Sequence, residues 1–471
     1  MVVATSLLRS VKTAAQSLNR QLSVAIVGSG PAGFYFAGSA LRGLQNSTVD
    51  IFEKQPVPFG LARFGVAPDH PEVKNCIHQF ENSVSGSQNC LSFFGNVAIG
   101  SDLTIEELRS FYDVVVLAYG AQSDRTMGIP GEDSANCFSA RRFVGWYNGL
   151  PEDSELPVDL SCDTAVVVGM GNVALDVCRV LLTPIDALTS TDISEASLEA
   201  LRGSKIRKVV MVGRRGPLQA AFTIKEFREQ IRLTGCSTVI DPLGFDELQQ
   251  RLEKLPRPRK RISELMLKSL NLGPSTEKKF NLRFLRSPVE IVADSNGKVE
   301  QIKMAVNKLE WPSDGSVDSA KVVATDKLEI VQCGLVLSSI GYRTIQIEGI
   351  PFDRKNQRIS TDDGNHVTGL PGVYACGWCA RGPTGVIATT QLEAKNCANV
   401  VQKDYKQGNL TVGKPGRPAV ESLLRQRGVQ WVSWKDWMKI DGEEQHLGHE
   451  HGKPREKLTD LQQIMQLVEK K

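Results

Sequence analysis

No acidic residue precedes Asp50 in this chain of 471 residues. Residues 1–22 instead carry Arg9, Lys12 and Arg20 together with several serines and threonines. A basic, acid-free leader of this kind has the composition of a mitochondrial transit peptide, and a basic tail without a targeting role is the alternative. Removal of the three cations takes the formal net charge from +3 to 0, so any functional basic character elsewhere must be local.

Long hydrophobic runs and a regular cysteine framework are also missing. The longest apolar stretches, such as 114–118 and 164–168, have the length of strands and fall short of the roughly 18 residues that a membrane span needs. The ten cysteines are scattered, which is unlike a secreted disulfide scaffold. With 41% hydrophobic and 23% charged residues, the composition predicts a globular protein of two or three domains.

Two glycine-rich turns follow runs of small apolar and β-branched residues. Residues 28–33 read GSGPAG and residues 169–174 read GMGNVA. Each turn leads into a helical pattern, and this strand–turn–helix order places a pyrophosphate at the N-terminus of the helix. The sequence therefore predicts that the chain binds two dinucleotides.

The residues after the next strand of each unit distinguish the two nucleotides. Glu53 ends a strand 20 residues beyond Gly33, where a carboxylate accepts hydrogen bonds from ribose hydroxyls and repels a phosphate. Arg214 and Arg215 follow the strand 209–212, where two guanidiniums suit a 2′-phosphate, although a solvated basic pair is the alternative. The pattern predicts FAD at the first turn and NADPH at the second.

The order of elements predicts an α/β fold with two Rossmann-like dinucleotide-binding domains, the NADPH domain being inserted in the FAD domain. We expect the FAD-binding domain at residues 23–122 and 344–471, and the NADPH-binding domain at residues 123–343. Strands are predicted near 164–168, 209–212, 282–285 and 335–340, among others. Trp431, Trp434 and Trp437 follow at period three, which is more typical of packing than of a binding site.

Four long phrases, at residues 58–71, 169–176, 213–226 and 381–390, resemble the mitochondrial NADPH:adrenodoxin (ferredoxin) reductase family, and the likeness runs from Ser23 to about Asp441. The resemblance implies an FAD-dependent enzyme that takes hydride from NADPH and passes single electrons to an acidic mitochondrial [2Fe-2S] ferredoxin (adrenodoxin-like). Such an enzyme supports steroid hydroxylation or iron-sulfur and haem assembly. It further implies a monomer of the mitochondrial matrix, with peripheral association with the inner membrane left open.

The family pattern also implies a set of cofactor-binding residues at matching positions. Those around FAD are Gly28, Gly30, Ala32 and Gly33 at the pyrophosphate, Glu53 at the ribose, Leu61 and Val97 at the nucleotide and flavin, and Trp378, Gly385, Val386 and Ile387 at the isoalloxazine. Those around NADPH are Gly171, Asn172, Val173, Ala174, Arg214, Arg215 and Glu226, with Gly385 shared.

His70 and Asp176 are the candidate catalytic residues, because the resemblance places both at the nicotinamide end. A loop contact for His70 and a helix-surface hydrogen bond for Asp176 are the alternatives. Arg228, Arg257 and Arg261 match the ferredoxin-binding positions of the family. The basic run 257–261 is not accompanied by an aromatic-rich or groove-reading element, so we expect an acidic protein partner and no nucleic acid.

Other motifs support different interpretations. Cys376 and Cys379 form a C-x-x-C, so an NADPH-dependent disulfide reductase is the rival enzyme, and a flavin-binding redox sensor or scaffold is a third reading. We expect no metal site, because the histidines at 446, 449 and 451 lack further ligands. Met170 departs from the family pattern, where we expect a polar residue, and residues 391–399 diverge as well.

Overall fold

The structure is a computed structural model that describes residues 21–44, 46–87, 90–270, 276–314 and 316–469. Nearly all of the predicted transit peptide, residues 1–22, lies outside the described part of the chain. The first strand already begins at Leu22, which is buried. The last residue of the predicted transit peptide therefore coincides with the first residue of β1.

Strands and helices alternate along most of the chain. The strands are β1 Leu22–Val27, β2 Ser47–Phe52, β3 Leu91–Phe94, β4 Val114–Leu117, β5 Ser123–Asp124, β6 Cys137–Ser139, β7 Thr164–Val168, β8 Lys208–Val212, β9 Cys236–Ile240, β10 Lys278–Arg283, β11 Arg286–Ala293, β12 Val299–Glu310, β13 Lys321–Gln332, β14 Leu335–Ser338, β15 Tyr342–Arg343, β16 Phe352–Asp353, β17 Arg358–Ile359 and β18 Val373–Ala375. The α-helices are α1 Pro31–Gly43, α2 Leu61–Phe64, α3 Pro71–Lys74, α4 Cys76–Ser85, α5 Ile105–Phe111, α6 Ala140–Tyr147, α7 Asn172–Leu182, α8 Asp186–Thr189, α9 Glu195–Arg202, α10 Ile224–Ile231, α11 Phe245–Arg251, α12 Arg257–Ser269, α13 Trp378–Arg381, α14 Ile387–Gln407, α15 Arg417–Gln426, α16 Trp434–Glu450 and α17 Leu461–Glu469.

Two parallel sheets organise the molecule. The first has the strand order β18-β4-β1-β2-β3, and the second has the order β6-β14-β7-β8-β10-β9. The elements around the five-stranded sheet are called the first unit below, and those around the six-stranded sheet the second unit. All strands of the second sheet lie in the chain between β4 and β18 of the first, so the predicted α/β class with an inserted Rossmann-like domain is confirmed.

The parallel sheets are covered on both faces, which explains their apolar strands. Strand β1 is buried along its whole length, and so is β4. Helix α1 packs between its own sheet and α14, which follows β18 in the chain. Trp437 is buried in this core and Trp434 packs against Phe34, Phe59 and Phe93, so the tryptophans serve packing here, as predicted.

A short antiparallel ribbon carries the chain between the units. Strand β5 leaves the first unit and pairs with β15, which returns to it. The boundaries that we expect at 122/123 and 343/344 flank these two strands, and they stay a prediction. None of the helices in the described ranges combines the length and the apolar character that crossing a membrane requires.

Two details differ from the sequence-based expectations. The strand expected at 282–285 lies earlier, as β10, because Leu285 has a φ of 57° and this left-handed conformation ends the strand. Strand β13 was not expected: it forms an outer strand of the antiparallel sheet β11-β12-β13 and alternates little, since most of its side chains are partly or fully exposed.

Candidate active site

The turn between β1 and α1 is shaped to receive a phosphate. A Cβ atom on Gly28, whose φ is 106°, would lie 2.6 Å from Tyr119 Cα, and one on Gly33 would lie 2.1 Å from the Gly28 carbonyl oxygen. A Cβ atom on Gly30 would meet no atom within 4 Å. Gly30 caps α1 without a side-chain hydrogen bond, so the first-turn N–H groups, including that of Ala32, remain for an anion. The turn fits the pyrophosphate of FAD.

Glu53 follows β2 at the side of this turn. Its side chain is buried and accepts hydrogen bonds from Ser29 N at 3.0 Å, Ser29 Oγ at 2.8 Å and Gln55 N at 3.1 Å. An ionised carboxylate can accept about four hydrogen bonds, so Glu53 retains capacity for a ribose hydroxyl. Val97 lies beside it and donates its backbone N–H to the Glu53 carbonyl, while the Val97 side chain is buried in the core.

The predicted isoalloxazine contacts gather after β18. Trp378 begins α13 and stacks on Tyr342, with ring centroids 5.6 Å apart. A Cβ atom on Gly377 would lie 2.8 Å from Ala32 Cβ, which brings this segment against the first turn. Further exposed positions are Leu61 at the start of α2, and Gly385 and Val386 just before Ile387 begins α14. An apolar rim therefore surrounds the phosphate turn.

The second turn repeats the same arrangement. A Cβ atom on Gly169 would lie 2.1 Å from the Ser339 carbonyl oxygen, whereas one on Gly171 would meet nothing within 4 Å. Gly171 caps α7, which runs from Asn172 through Val173 and the buried Ala174, without a side-chain hydrogen bond. Met170 packs over Gly213, since a Cβ atom there would lie 2.3 Å from Met170 Cγ. This apolar packing explains why Met170 stands where a polar residue was expected.

Arg214 and Arg215 follow β8 and are exposed. Their backbone carbonyls accept hydrogen bonds from Asn307 Nδ2 at 2.9 Å and Leu285 N at 3.1 Å, which fixes the course of the loop. Within the described ranges neither guanidinium has a hydrogen bond or an ion pair with another side chain. Both side chains therefore remain for an anion at the place where the second nucleotide's ribose is expected.

The two candidate catalytic residues lie in one polar cluster where the units meet. His70 is buried on the loop before α3, and its Nε2 lies 2.8 Å from Glu229 Oε2 of α10. Asp176 of α7 accepts a hydrogen bond of 2.7 Å from Arg179 Nη2. The same nitrogen lies 3.3 Å from His70 Nδ1, so Arg179 bridges the pair. The structure thus brings His70 and Asp176 together around a guanidinium.

Burial and charge oppose each other in this cluster. Burial raises the pKa of Asp176 above its usual range, and Arg179 counteracts the shift. Burial and the nearby Asp176 charge raise the pKa of Glu226. Asp69 is partly buried, which raises its pKa, but its hydrogen bonds to Arg179 outweigh this effect and hold the pKa below the usual value. The cluster therefore combines two carboxyl groups of raised pKa with one of lowered pKa around a single guanidinium.

A cation could be held at the same place. In the described part of the chain, His70, Asp176 and Glu226 present ligand atoms that lie within 4.8 Å of one another. Arg179 Nη2 contacts His70 and Asp176, so the guanidinium already supplies a positive charge at the place where a cation would bind.

The chain is similar to known proteins in both sequence and structure. The family model described as pyridine nucleotide-disulphide oxidoreductase matches residues 22–229. The human protein named mitochondrial NADPH:adrenodoxin oxidoreductase is 49% identical, over 94% of this chain and 91% of its own. The Arabidopsis thaliana protein of the same name is 42% identical over 95% of both chains. The structure of FprA from Mycobacterium tuberculosis in complex with NADPH shares 38% identity and a TM-score of 0.89, over 95% of this chain and 99% of that one.

The chain belongs to the NADPH:adrenodoxin oxidoreductase family. The predicted family, enzyme class and use of FAD and NADPH are thereby confirmed. The assignment of roles to individual residues stays a prediction, supported by the geometry of the two turns and of the polar cluster.

The positions that match the family's ferredoxin-binding residues lie on two helices that pack together. Arg228 is on α10, and Arg257 and Arg261 are on α12, both exposed. Between them in sequence, Arg259 pairs with Asp318 and Lys260 with Glu253. Arg228, Arg257 and Arg261 have no such side-chain partner within the described ranges. These three arginines define a basic surface on the second unit.

The C-x-x-C motif has different partners from those of a redox dithiol. The Cys379 thiol donates to the carbonyls of Leu117 and Cys376, each at 3.2 Å. The neighbouring thiol of Cys397 on α14, together with burial, raises the pKa of the Cys376 thiol. Burial raises the pKa of Cys379 to about 12. Neither thiol is a ready thiolate, which disfavours the disulfide reductase alternative.

The sequence-based interpretation missed several residues of the cluster. Arg179, Asp69 and Glu229 contact the candidate catalytic residues but were not predicted. Arg179 lies three positions after Asp176 on the same helix, a spacing at which opposite charges pair. That spacing was the one signal available, since the contact with Asp69 joins positions 110 residues apart.

Proposed function

We propose that this chain oxidises NADPH through FAD and passes the electrons one at a time to an acidic [2Fe-2S] ferredoxin. One contrast carries the proposal: two phosphate turns of the same build are followed by a buried carboxylate in one unit and by two unpaired guanidiniums in the other. A carboxylate selects against a 2′-phosphate and arginines select for it, so the turns are suited to FAD and NADPH respectively. The relatives named NADPH:adrenodoxin oxidoreductase support the same cofactor pair.

Bound FAD would supply what side chains cannot, namely the acceptance of a hydride followed by release of single electrons. The protein's own contribution is placement and exclusion of water. The N-termini of α1 and α7 would hold the two pyrophosphates. Trp378 and its stacking partner Tyr342 would cover the reacting end, and His70 and Asp176 would orient the nicotinamide and hold a proton beside it.

The basic surface formed by Arg228, Arg257 and Arg261 would bind the ferredoxin. The protein without its leader has a formal charge of 0, so a local cluster of unpaired arginines is the feature that an acidic partner can recognise. Complementary charge accelerates encounter and is screened by salt, which suits a partner that must bind and leave repeatedly.

We further propose the mitochondrial matrix as the location, a monomer as the working state and residues 1–22 as a transit peptide. The acid-free leader and the word mitochondrial in the names of the relatives support this location. We also propose the boundaries 23–122 and 344–471 for the FAD domain and 123–343 for the NADPH domain. The ribbon of β5 and β15, through which the chain crosses between the units, supports these boundaries.

The test is NADPH-dependent reduction of cytochrome c by the purified holoenzyme, with and without an added [2Fe-2S] ferredoxin, at low and high salt. We expect a large ferredoxin-dependent rate that falls as salt rises. The double variant Arg257→Ser, Arg261→Ser should raise the KM for ferredoxin about tenfold at low salt and leave flavin reduction by NADPH unchanged.

The matched control removes two exposed cations from the first unit, as Arg354→Ser with Lys355→Ser. Each double variant removes two positive charges. If ferredoxin binds specifically at the basic surface, only the first double variant should raise the KM for ferredoxin. A wild-type rate that ignores ferredoxin would refute the proposed acceptor. Equal effects of the two double variants would instead refute the proposed surface.

A further inference from the structure

One buried guanidinium joins the two units where the candidate catalytic residues meet. The Arg179 side chain is only 4% exposed. It lies on α7, the helix that begins at the second phosphate turn, and it reaches across to the loop before α3 in the first unit. The residue therefore connects the nucleotide-binding helix of one unit with the other unit directly.

Arg179 makes hydrogen bonds through Nε and Nη2, while Nη1 is buried without a hydrogen bond and has only an ion-pair contact. Nε lies 2.5 Å from Asp69 Oδ2, and Nη2 lies 3.1 Å from Asp69 Oδ1. Nη2 also donates to Asp176 and contacts His70, and Nη1 lies 3.5 Å from Glu226 Oε2. Arginine can bind Asp69 through two nitrogens and contact Asp176 and His70 at the same time, whereas the single ammonium group of lysine cannot.

A neighbouring ion pair between the two units is more open to water. Glu72 pairs with Lys225 at 2.9 Å, and both side chains are about half exposed. Pairs of that kind are weak and are screened by salt. Arg179 and Asp69 are mostly shielded, so their attraction and their fixed geometry persist at physiological salt.

We propose that Arg179 is a positioning residue for hydride transfer, because its guanidinium fixes His70 and Asp176 relative to each other and holds the nucleotide-binding helix of the second unit against the first. The inference rests on the proposed function, since it assigns a role within that reaction. Hydride transfer depends steeply on the separation of donor and acceptor, and a displacement of about 1 Å costs on the order of a hundredfold in rate.

Loss of the guanidinium has a second consequence. Asp69, Asp176 and Glu226 would face one another beside His70 in a mostly buried site without the cation that now lies between them. Burial already raises the pKa of Asp176 and Glu226, so these carboxylates would take up protons at higher pH without Arg179. Two charged groups of α10 also face this cluster and act in opposite directions: the Glu229 carboxylate adds to the upward shift, and the Lys225 ammonium opposes it.

The test is anaerobic stopped-flow reduction of the flavin by NADPH in the holoenzyme, followed as a function of pH. Arg179→Met should lower the rate constant about 100-fold and move its pH profile to higher pH. The dissociation constant for NADPH should change less than about fivefold, because Arg214 and Arg215 are untouched. Arg179→Lys should recover only part of the rate, and guanidinium ion should restore activity to Arg179→Ala.

Hydrogen exchange of residues 66–75 gives a readout that needs no turnover. This segment should exchange faster in Arg179→Met but not in Arg417→Met. Arg417 of α15 is the matched control, because it also pairs with a buried carboxylate, Asp50, but lies in the first unit outside the cluster.

The outcomes separate this inference from the proposed function. Flavin reduction by NADPH does not require ferredoxin. A wild-type enzyme whose flavin is reduced but which does not reduce ferredoxin would therefore contradict only the proposed electron acceptor. Arg179 variants that match Arg417→Met in rate, pH profile and exchange would overturn the positioning role, whatever the acceptor is. If NADPH does not reduce the flavin of the wild-type enzyme, the positioning role and the proposed function are both overturned.

Discussion

At the scale of single residues, the preference for NADPH over NADH is expected to rest on Arg214 and Arg215, which follow β8 and whose guanidiniums have no partner in the described part of the chain. We expect Arg214→Ala to raise the KM for NADPH about 10- to 100-fold, because a charge-assisted contact with a phosphate is worth about 1.5–3 kcal/mol. The KM for NADH should hardly change, since NADH lacks the 2′-phosphate. Steady-state kinetics with both nucleotides measures this, and Arg202→Ala on α9 is an exposed control. Equal losses for both nucleotides would contradict the assignment.

Residues whose function follows from local order could be read from the sequence, and those that act through long-range contacts could not. Glu53, Arg214 and Arg215 follow the strands that the β-branched runs predict, so their place in the fold was accessible. The joining of His70 to Asp176 by Arg179, and the hydrogen bond from the Cys379 thiol to the Leu117 carbonyl, depend on packing between distant segments. Spacing in the sequence carries no information about such packing.

At the scale of elements, two glycines at the N-terminus of α1 are expected to differ in role: Gly30 matters for FAD binding alone, and Gly33 matters for both FAD binding and folding. A methyl group on Gly30 would enter open space, whereas one on Gly33 would collide with the Gly28 carbonyl. We expect Gly30→Ala to lose FAD while the apoprotein keeps its thermal stability, because the new methyl group occupies the place of the pyrophosphate. Gly33→Ala should lose FAD and stability together, since the helix must shift. Flavin absorbance and the Tm of the apoproteins distinguish the two, and an FAD-replete Gly30→Ala would disprove the placement.

The same element scale shows why turns are easier to predict than outer strands. The two turns require glycine at fixed places, because a Cβ atom on Gly28, Gly33 or Gly169 would collide with a backbone atom. Strand β13 has no such requirement, and its exposed Leu328 and Ile330 face away from any core in the described structure. A strand of that kind is held by its backbone pairing with β12, which leaves little trace in the side-chain pattern.

At the scale of the whole molecule, the two units and the C-terminal segment meet at one buried carboxylate. Asp192 of the second unit forms ion pairs with Lys74 of α3 at 2.6 Å and with Lys457 near the C-terminus at 2.9 Å. Burial opposes ionisation, but the two lysines hold the pKa of Asp192 below its usual range. Burial lowers the pKa of Lys457 to about 7. The docking of three distant parts of the chain thus depends on one anion between two buried cations.

We expect Asp192→Asn to destabilise the protein by about 3 kcal/mol near pH 6, because it leaves two buried lysines without their counter-ion. The folded pKa of Lys457 lies below its unfolded value, so the unfolded state binds more protons between about pH 7 and 10 and stability rises with pH there. The loss in Asp192→Asn should therefore shrink near pH 9, where the lysines give up their protons more readily. Denaturant unfolding at both pH values measures the difference, with Asp326→Asn as an exposed control. A loss of equal size at the two pH values would show that Asp192 acts through shape rather than charge, and the three parts of the chain would then be held together by packing alone.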